Sequence, residues 1–161
     1  MEELDFQGLL DHFNSQGFQK SEQVILGHFG TVQTLLSLIF NLPVNVRDIE
    51  MDEEAGVIIR SVKLVVGDTV IGRAPSHIPR EKNREDVLED ITSGRLGLGQ
   101  VVVIQQIPNR RILGEVGKDK TAFWRTYTIE GPELFIEIHE HFYRKPLEEV
   151  GWLKPEQNAE G

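Results

Sequence analysis

Two long segments with strand signals, separated by two turn residues, constrain this fold most. Val57 to Val66 and Thr69 to Ile78 are each long enough to form a strand, and Gly67-Asp68 lies between them. Both turn residues accept the positive φ that a two-residue hairpin loop needs. The pattern therefore predicts two antiparallel strands that are neighbours in one sheet.

The rest of the chain predicts an α+β domain, with one antiparallel sheet and helices packed on it. The predicted helices are Asp5 to Phe18, Thr31 to Phe40 and Arg84 to Ser93. The further predicted strands are Val44 to Glu50, Gln100 to Ile107, Arg111 to Val116, Phe123 to Ile129 and Leu134 to Tyr143. A chain of 161 residues needs no second domain, and we expect residues 148–161 to be a loose polar tail.

Composition excludes several classes of function. A net charge of -9 argues against sequence-independent binding of nucleic acid or an anionic membrane, because phosphate neutralisation needs a basic surface. The absence of cysteine removes disulfides, thiolate zinc sites and thiol nucleophiles. With no signal peptide and no membrane-length apolar run, we expect a soluble cytoplasmic protein. A small anion can still bind where individual arginines enclose it.

One charged residue breaks the apolar face of the last predicted strand. Ile136, Ile138 and Phe142 share a face with Glu140, because side chains alternate along a strand. A carboxylate in such surroundings must find a cation and hydrogen bonds, or keep a proton. Either outcome marks Glu140 as a candidate site residue.

Arg60 interrupts an apolar face in the same way, since it alternates with Ile58 and Val62. Two interpretations stay open for Arg60 and Glu140: a structural ion pair, or a closed pocket for an anionic ligand. Arg125 shares a face with Phe123 and Tyr127, so its side chain points either inward or to the rim. The remaining candidates, Arg73, Arg95, Arg110 and Arg111, are interpreted as surface residues.

Metal, nucleotide and serine-hydrolase sites are all weakly indicated. Glu137, His139 and His141 share one strand face and would need His28 or His77 as a further ligand, so we interpret them as a polar strand face and predict no metal. The glycines from Gly94 to Gly99 do not follow a strand, which argues against a phosphate loop. A G-x-S-x-G motif is missing as well.

Several segments together resemble the chorismate pyruvate-lyase family, whose fold is shared by ligand-binding domains of some bacterial transcription regulators. The resemblance runs from Ile25 to Pro146. It is carried by ILGHFGTVQTLL from Ile25, RSVKL from Arg60, GRAPSHIP from Gly72, GRLGLGQ from Gly94, WRTYTI from Trp124 and FIEIHEHF from Phe135.

The resemblance implies cleavage of chorismate to 4-hydroxybenzoate and pyruvate without a cofactor. By position, Arg60 binds a substrate carboxylate, Leu98 contacts the ligand, and Glu140 stands beside the reacting ether as a general acid. Val32 replaces a family methionine and keeps an apolar contact. The expected partner is thus a small anionic substrate.

Three positions depart from the family pattern. Phe29 and Gln33 replace the residues usual in the first motif, and Pro75 stands where some lyases have an arginine, so one positive contact is either absent or supplied by Arg73 or Arg125. The alternative function is a sensor domain that binds an aromatic acid without turnover. The short stretch before Ile25 leaves no room for a helix-turn-helix domain, which favours the enzyme.

Overall fold

The chain forms one six-stranded antiparallel sheet with helices on it, in a computed structural model that describes residues 6–94 and 97–156. The helices are α1 (Phe6–Ser15), α2 (Lys20–Leu26), α3 (Val32–Phe40), α4 (Glu85–Thr92), α5 (Leu98–Ile104) and α6 (Arg144–Glu149). The strands are β1 (Val44–Glu54), β2 (Val57–Val66), β3 (Thr69–Pro79), β4 (Arg110–Lys118), β5 (Ala122–Gly131) and β6 (Leu134–Tyr143). The predicted α+β class is therefore confirmed.

The sheet consists of two three-stranded meanders that meet at its centre. The strand order is β1-β2-β3-β6-β5-β4, so β3 and β6 form the seam between the halves. The predicted hairpin is present, since Val66 pairs with Thr69 and Gly67 has a φ of 58°. Glycine adopts this left-handed conformation without a steric penalty, which explains its place in the turn.

The described core consists of two apolar clusters on the same face of the sheet, which we call the inner face. One cluster packs α4 and α5 against residues such as Ile58 and Ile136. The other packs α1, α2, α3 and α6 against residues such as Leu64 and Phe142. The middle of the inner face, between the clusters, carries the buried charged residues of the sheet, Arg60, Arg125 and Glu140.

The predicted strand Gln100 to Ile107 is wrong, because this segment contains helix α5. Val101 is fully buried whereas Val103 is 71% exposed, which a strand cannot achieve for residues two apart on one face. Helical spacing instead buries Leu98, Val101 and Val102 against α4. A short run of β-branched residues favours a strand by propensity, and tertiary packing overrides that preference here.

The C-terminal residues also differ from the expectation of a loose tail. Leu153 is 3% exposed, and the indole nitrogen of Trp152 donates a hydrogen bond of 3.1 Å to the carbonyl oxygen of Ser21. Two apolar side chains in a polar segment are enough to dock it on α2. Residues 157–161 of the predicted tail, Asp5 of the first predicted helix and Arg95 lie outside the described residues.

No helix within residues 6–94 and 97–156 is long and apolar enough to cross a membrane.

Candidate functional site

A cavity of about 680 Å³, its mouth included, opens on the inner face between the two apolar clusters. Its lining contains all four residues for which a ligand contact was predicted: Val32, Arg60, Leu98 and Glu140. They come from α3, β2, α5 and β6, so distant parts of the sequence converge here. A concave lining of apolar side chains with a few charged groups is typical of a small-molecule site.

The central strand β3 creates this space because its inner face carries small side chains. Ala74 and Ser76 lie on the cavity floor between β2 and β6. Arg60 pairs with Ser76 across β2 and β3, and Glu140 lies two strands away from Arg60 on β6. Because Ser76 pairs with Ile138, Glu140 also lies two residues further along β6, so the backbones of Arg60 and Glu140 are about 12 Å apart.

The ion pair of Glu140 is formed with Arg125 from the adjacent strand β5. Arg125 Nε donates a hydrogen bond of 2.7 Å to Glu140 Oε1, and the two residues are directly opposite each other in the β5–β6 register. Arg125 is fully buried and Glu140 is 4% exposed. Arg125 therefore points inward rather than to the rim, and its hydrogen bond to Glu140 uses Oε1.

Arg125 also fixes the connection between α2 and α3. Its Nη1 donates to the carbonyl oxygens of Leu26 and His28, at 2.9 and 2.6 Å. These residues belong to the ILGHFG segment on which part of the family resemblance rests. A single guanidinium thus holds both the carboxylate at the cavity and the loop that leads to Val32.

Tyr127 completes the polar group around Glu140. Its hydroxyl lies 3.5 Å from Glu140 Oε2, and the Arg125 guanidinium lies 4.6 Å from the centre of its ring. Burial, with a further contribution from the negative charge of Glu140, raises the pKa of Tyr127. Tyr127 therefore remains a hydrogen-bond donor throughout the physiological pH range.

Arg60 provides a positive charge deep inside the cavity. Arg60 is 3% exposed, and this burial lowers the pKa of its guanidinium. The ordinary pKa of arginine is so far above neutral pH that a guanidinium with a lowered pKa still stays charged at physiological pH. A guanidinium in this position can form a bidentate pair with a carboxylate that enters the cavity.

Arg111 is a cavity residue that the sequence interpretation assigned to the surface. It lies on β4 opposite Ile129 of the inner face and is half-buried. Its Nη1 donates a hydrogen bond of 3.0 Å to the carbonyl oxygen of Gly30, across the cavity rim. The sequence indicated this inward position only weakly. Leu113 is the one apolar residue that shares a strand face with Arg111 before a bulge interrupts β4.

The departures from the family pattern have different structural consequences. Pro75 and Arg73 alternate with Ala74 and Ser76, so they lie on the outer face, away from the cavity. Neither expected source of the second positive charge is at the cavity surface, since Arg125 is committed to Glu140. Gln33 does line the cavity, and its Nε2 donates to the carbonyl oxygen of Val44.

Gly97, Leu98 and Gly99 of the glycine-bearing segment line the cavity, but their setting is not that of a phosphate loop. Leu98 is 7% exposed and begins α5, whose entrance is stabilised by a hydrogen bond of 2.9 Å from Gly97 N to Gln100 Oε1. The segment follows helix α4, whereas a phosphate loop follows a strand. Its role at the cavity is to hold Leu98 opposite Val32.

Comparison with protein-family models and with curated proteins gives no match. The chemistry of the cavity is therefore the basis for assigning a function. Two arginines and one carboxylate project into a lining that otherwise contains apolar and small polar groups. Guanidinium groups in such a lining can bind a carboxylate bidentately, so the cavity can accommodate a small anion.

Proposed function

We propose that this chain catalyses the elimination of pyruvate from chorismate, with 4-hydroxybenzoate as the second product. The observation that carries the proposal is the placement of Arg60 and Glu140 on opposite sides of one small cavity, with their backbones about 12 Å apart by strand spacing and register. The family resemblance selects the same two residues for contact with the substrate. No cofactor is required by this reaction.

Arg60 holds the ring carboxylate, and the ring lies across Ala74 and Ser76 toward Glu140. A para-substituted benzoate carries its carboxylate and its hydroxyl at opposite ends of the ring, so one end can face Arg60 and the other Glu140. Leu98 and Val32 pack on the ring and exclude water. This arrangement holds the substrate in one orientation, which reduces the entropic part of the barrier.

Arg111 supports binding of a second carboxylate, that of the enolpyruvyl group. It provides the charge for which we expected Arg73 or Arg125, and it stands at the rim beside Gly30 and Val32. Helix α3 begins at Val32, so the positive end of its dipole also favours an anion here. A substrate with two negative charges is thus matched by two arginines.

The reaction breaks the ether bond between the ring and the enolpyruvyl oxygen. The adjacent ring carbon, which carries the hydroxyl, loses its hydrogen, and the new double bond makes the ring aromatic. That hydrogen ends on the methylene carbon of the departing enolpyruvyl group, which becomes pyruvate. The aromatic product provides the driving force, and the protein contributes orientation and charge.

The salt bridge to Arg125 changes the role that we assign to Glu140. A carboxylate paired with a guanidinium is suited to accept a hydrogen bond rather than to donate a proton to the ether oxygen. Glu140 therefore accepts a hydrogen bond from the ring hydroxyl through Oε2, and the uncharged Tyr127 hydroxyl donates nearby.

The absence of cysteine agrees with the cytoplasmic location that we propose for this activity.

Incubation of the purified protein with chorismate tests the proposal. We expect 4-hydroxybenzoate to form, followed by its ultraviolet absorbance, and Glu140→Gln to reduce turnover at least about 100-fold while the circular dichroism spectrum is unchanged. Spontaneous decay of chorismate without protein is the control. If the protein at high concentration gives no product above that control, the lyase proposal is wrong.

A sensor that binds an aromatic acid without turnover is the second candidate. The observation that favours it is the engagement of Glu140 Oε1 by Arg125, which makes Glu140 a better ligand-binding group than an acid. Calorimetric titration with 4-hydroxybenzoate, combined with the turnover assay, separates the two candidates. Binding without turnover indicates the sensor, and turnover excludes it.

A further inference from the structure

A group of side chains that could bind a metal ion lies on the outer face of the sheet, at the seam between its halves. It consists of His77 on β3 and Glu137 and His139 on β6. One ligand atom from each residue lies within 4.8 Å of those from the other two. His139 Nε2 and Glu137 Oε1 are 2.7 Å apart, and His77 is directly opposite Glu137 in the register.

The structure selects one set among the histidines considered from the sequence. His141 stacks beside Trp124, with ring centres 5.6 Å apart, and pairs in register with Arg73, so it is separate from the cluster. His28 lies on the inner side, where its carbonyl oxygen accepts a hydrogen bond from Arg125. His77 is therefore the residue that joins the pair on β6.

The unsatisfied nitrogen of His77 is independent support for a ligand. His77 Nδ1 is buried and makes no hydrogen bond within residues 6–94 and 97–156. Buried polar atoms are nearly always satisfied by protein, water or an ion, so an orphaned imidazole nitrogen needs an explanation. Glu137 and His139 are 44% and 31% exposed at their side chains, so a dissolved ion can reach the cluster.

We propose that His77, Glu137 and His139 bind a divalent transition-metal ion, with Zn²⁺ as the leading candidate. Two imidazoles and one carboxylate are a common three-ligand set for zinc, with water in the fourth position. Ligand atoms about 2.0 to 2.1 Å from a tetrahedral zinc lie about 3.4 Å apart, so modest side-chain rotations are enough to close this cluster.

The site would connect the two halves of the sheet where their hydrogen bonding is interrupted. The recorded β3–β6 pairs pass from Arg73 to Ser76 and skip Pro75, which has no backbone N–H to donate. A metal bound by β3 and β6 would stabilise the folded state, because the unfolded chain does not assemble the site. It lies on the face opposite the cavity and takes no part in the proposed elimination.

The test uses full-length protein without a histidine tag, stripped of metal by chelation. Calorimetry with Zn²⁺ and the absorption spectrum of added Co²⁺ report affinity and coordination. We expect one ion per chain, and affinity at least tenfold weaker in both His77→Ala and His139→Ala. His141→Ala, on the same strand and face but outside the cluster, should bind as the wild type does.

Glu137→Gln keeps the shape of the side chain and provides a second variant if an alanine replacement fails to fold. It should also weaken Zn²⁺ binding at least tenfold, with a circular dichroism spectrum like that of the wild type. Equal affinity in wild type and His77→Ala would overturn the proposal, as would a loss caused equally by His141→Ala. The cluster would then be a polar patch of the outer face.

Discussion

At the scale of single residues, the most informative feature is how this protein buries its charges. Glu140 pairs with Arg125, and Glu22 pairs with Arg144, both between residues that are at most 4% exposed. Desolvation makes such pairs poor sources of stability, although breaking one is costly. The Glu22–Arg144 pair connects α2 to α6 inside the apolar cluster that packs α1, α2, α3 and α6 on the sheet, whereas Glu140 lines a cavity.

Removal of Arg125 alone should destabilise the protein strongly. Arg125→Met leaves Glu140 buried without its cation, so we expect the free energy of unfolding to fall by about 3 kcal/mol. The double variant Arg125→Met/Glu140→Leu should recover part of this loss, because no uncompensated charge remains. Urea denaturation measures both, and Arg73→Met on the outer face is the control. A double variant less stable than the single one would contradict this account.

Arg111 should discriminate between ligands with one and two carboxylates. We expect Arg111→Gln to weaken chorismate binding at least about tenfold and 4-hydroxybenzoate binding much less, since Arg60 serves the ring carboxylate. Arg110→Gln is a matched control, because Arg110 is the adjacent residue and pairs with Glu130 at the exposed surface. Calorimetry or steady-state KM values provide the comparison. Equal effects on both ligands would place the second carboxylate elsewhere.

At the scale of secondary-structure elements, α5 shows where sequence patterns become ambiguous. Gln100 to Ile107 has the composition of a buried strand, and only its packing against α4 makes it a helix. The distinction matters for function, since α5 begins at Leu98 and forms one wall of the cavity.

Two neighbouring valines in α5 test this assignment. Val101→Ala should lower the free energy of unfolding by about 2 kcal/mol, because Val101 is fully buried in the apolar cluster that contains α4 and α5. Val103→Ala should change it by less than about 0.5 kcal/mol, because Val103 is largely exposed. Urea denaturation distinguishes the two outcomes. A strand would place both residues on one face, so similar losses would argue against the helix.

The turn between β4 and β5 depends on the charge of Asp119. Hydrogen bonds from the backbone N–H groups of Thr121 and Ala122 lower the pKa of Asp119. A carboxyl whose folded-state pKa is lowered stabilises the protein above its unfolded pKa of about 3.9, and this stabilisation disappears as pH falls through the folded pKa.

We therefore expect Asp119→Ala to lower the urea midpoint at pH 7 and the gap from wild type to narrow below about pH 4. Lys120→Ala, in the same turn, should show no such narrowing. A gap that stays constant over the whole pH range would mean that Asp119 acts through shape rather than charge.

At the scale of the whole molecule, alternation in the strands was enough to predict the antiparallel sheet and to isolate Arg60 and Glu140. Strand order depends on long-range pairing, which periodicity does not encode, so the Arg125–Glu140 pair and the separation of Arg60 from Glu140 were not predictable. The cavity position of Arg111 was missed because the bulge in β4 leaves too short an alternating segment to define its face. The docked C-terminal segment was missed because two apolar residues give too weak a signal.

The overall arrangement explains how an acidic protein can accommodate an anion. The chain has a net charge of -9, yet two arginines and one glutamate face the cavity between the apolar clusters. The arginines would attract an anion in surroundings of low dielectric constant, where charges are screened less than at the protein surface. Local placement, and not total charge, therefore decides which ligand can bind.

The most direct test of the central claim is a crystal structure of this protein with 4-hydroxybenzoate bound. We predict that the carboxylate of the ligand contacts Arg60, that its ring lies between Leu98 and Val32, and that its hydroxyl points toward Glu140. A ligand bound outside this cavity, or bound with its carboxylate directed away from Arg60, would contradict the account.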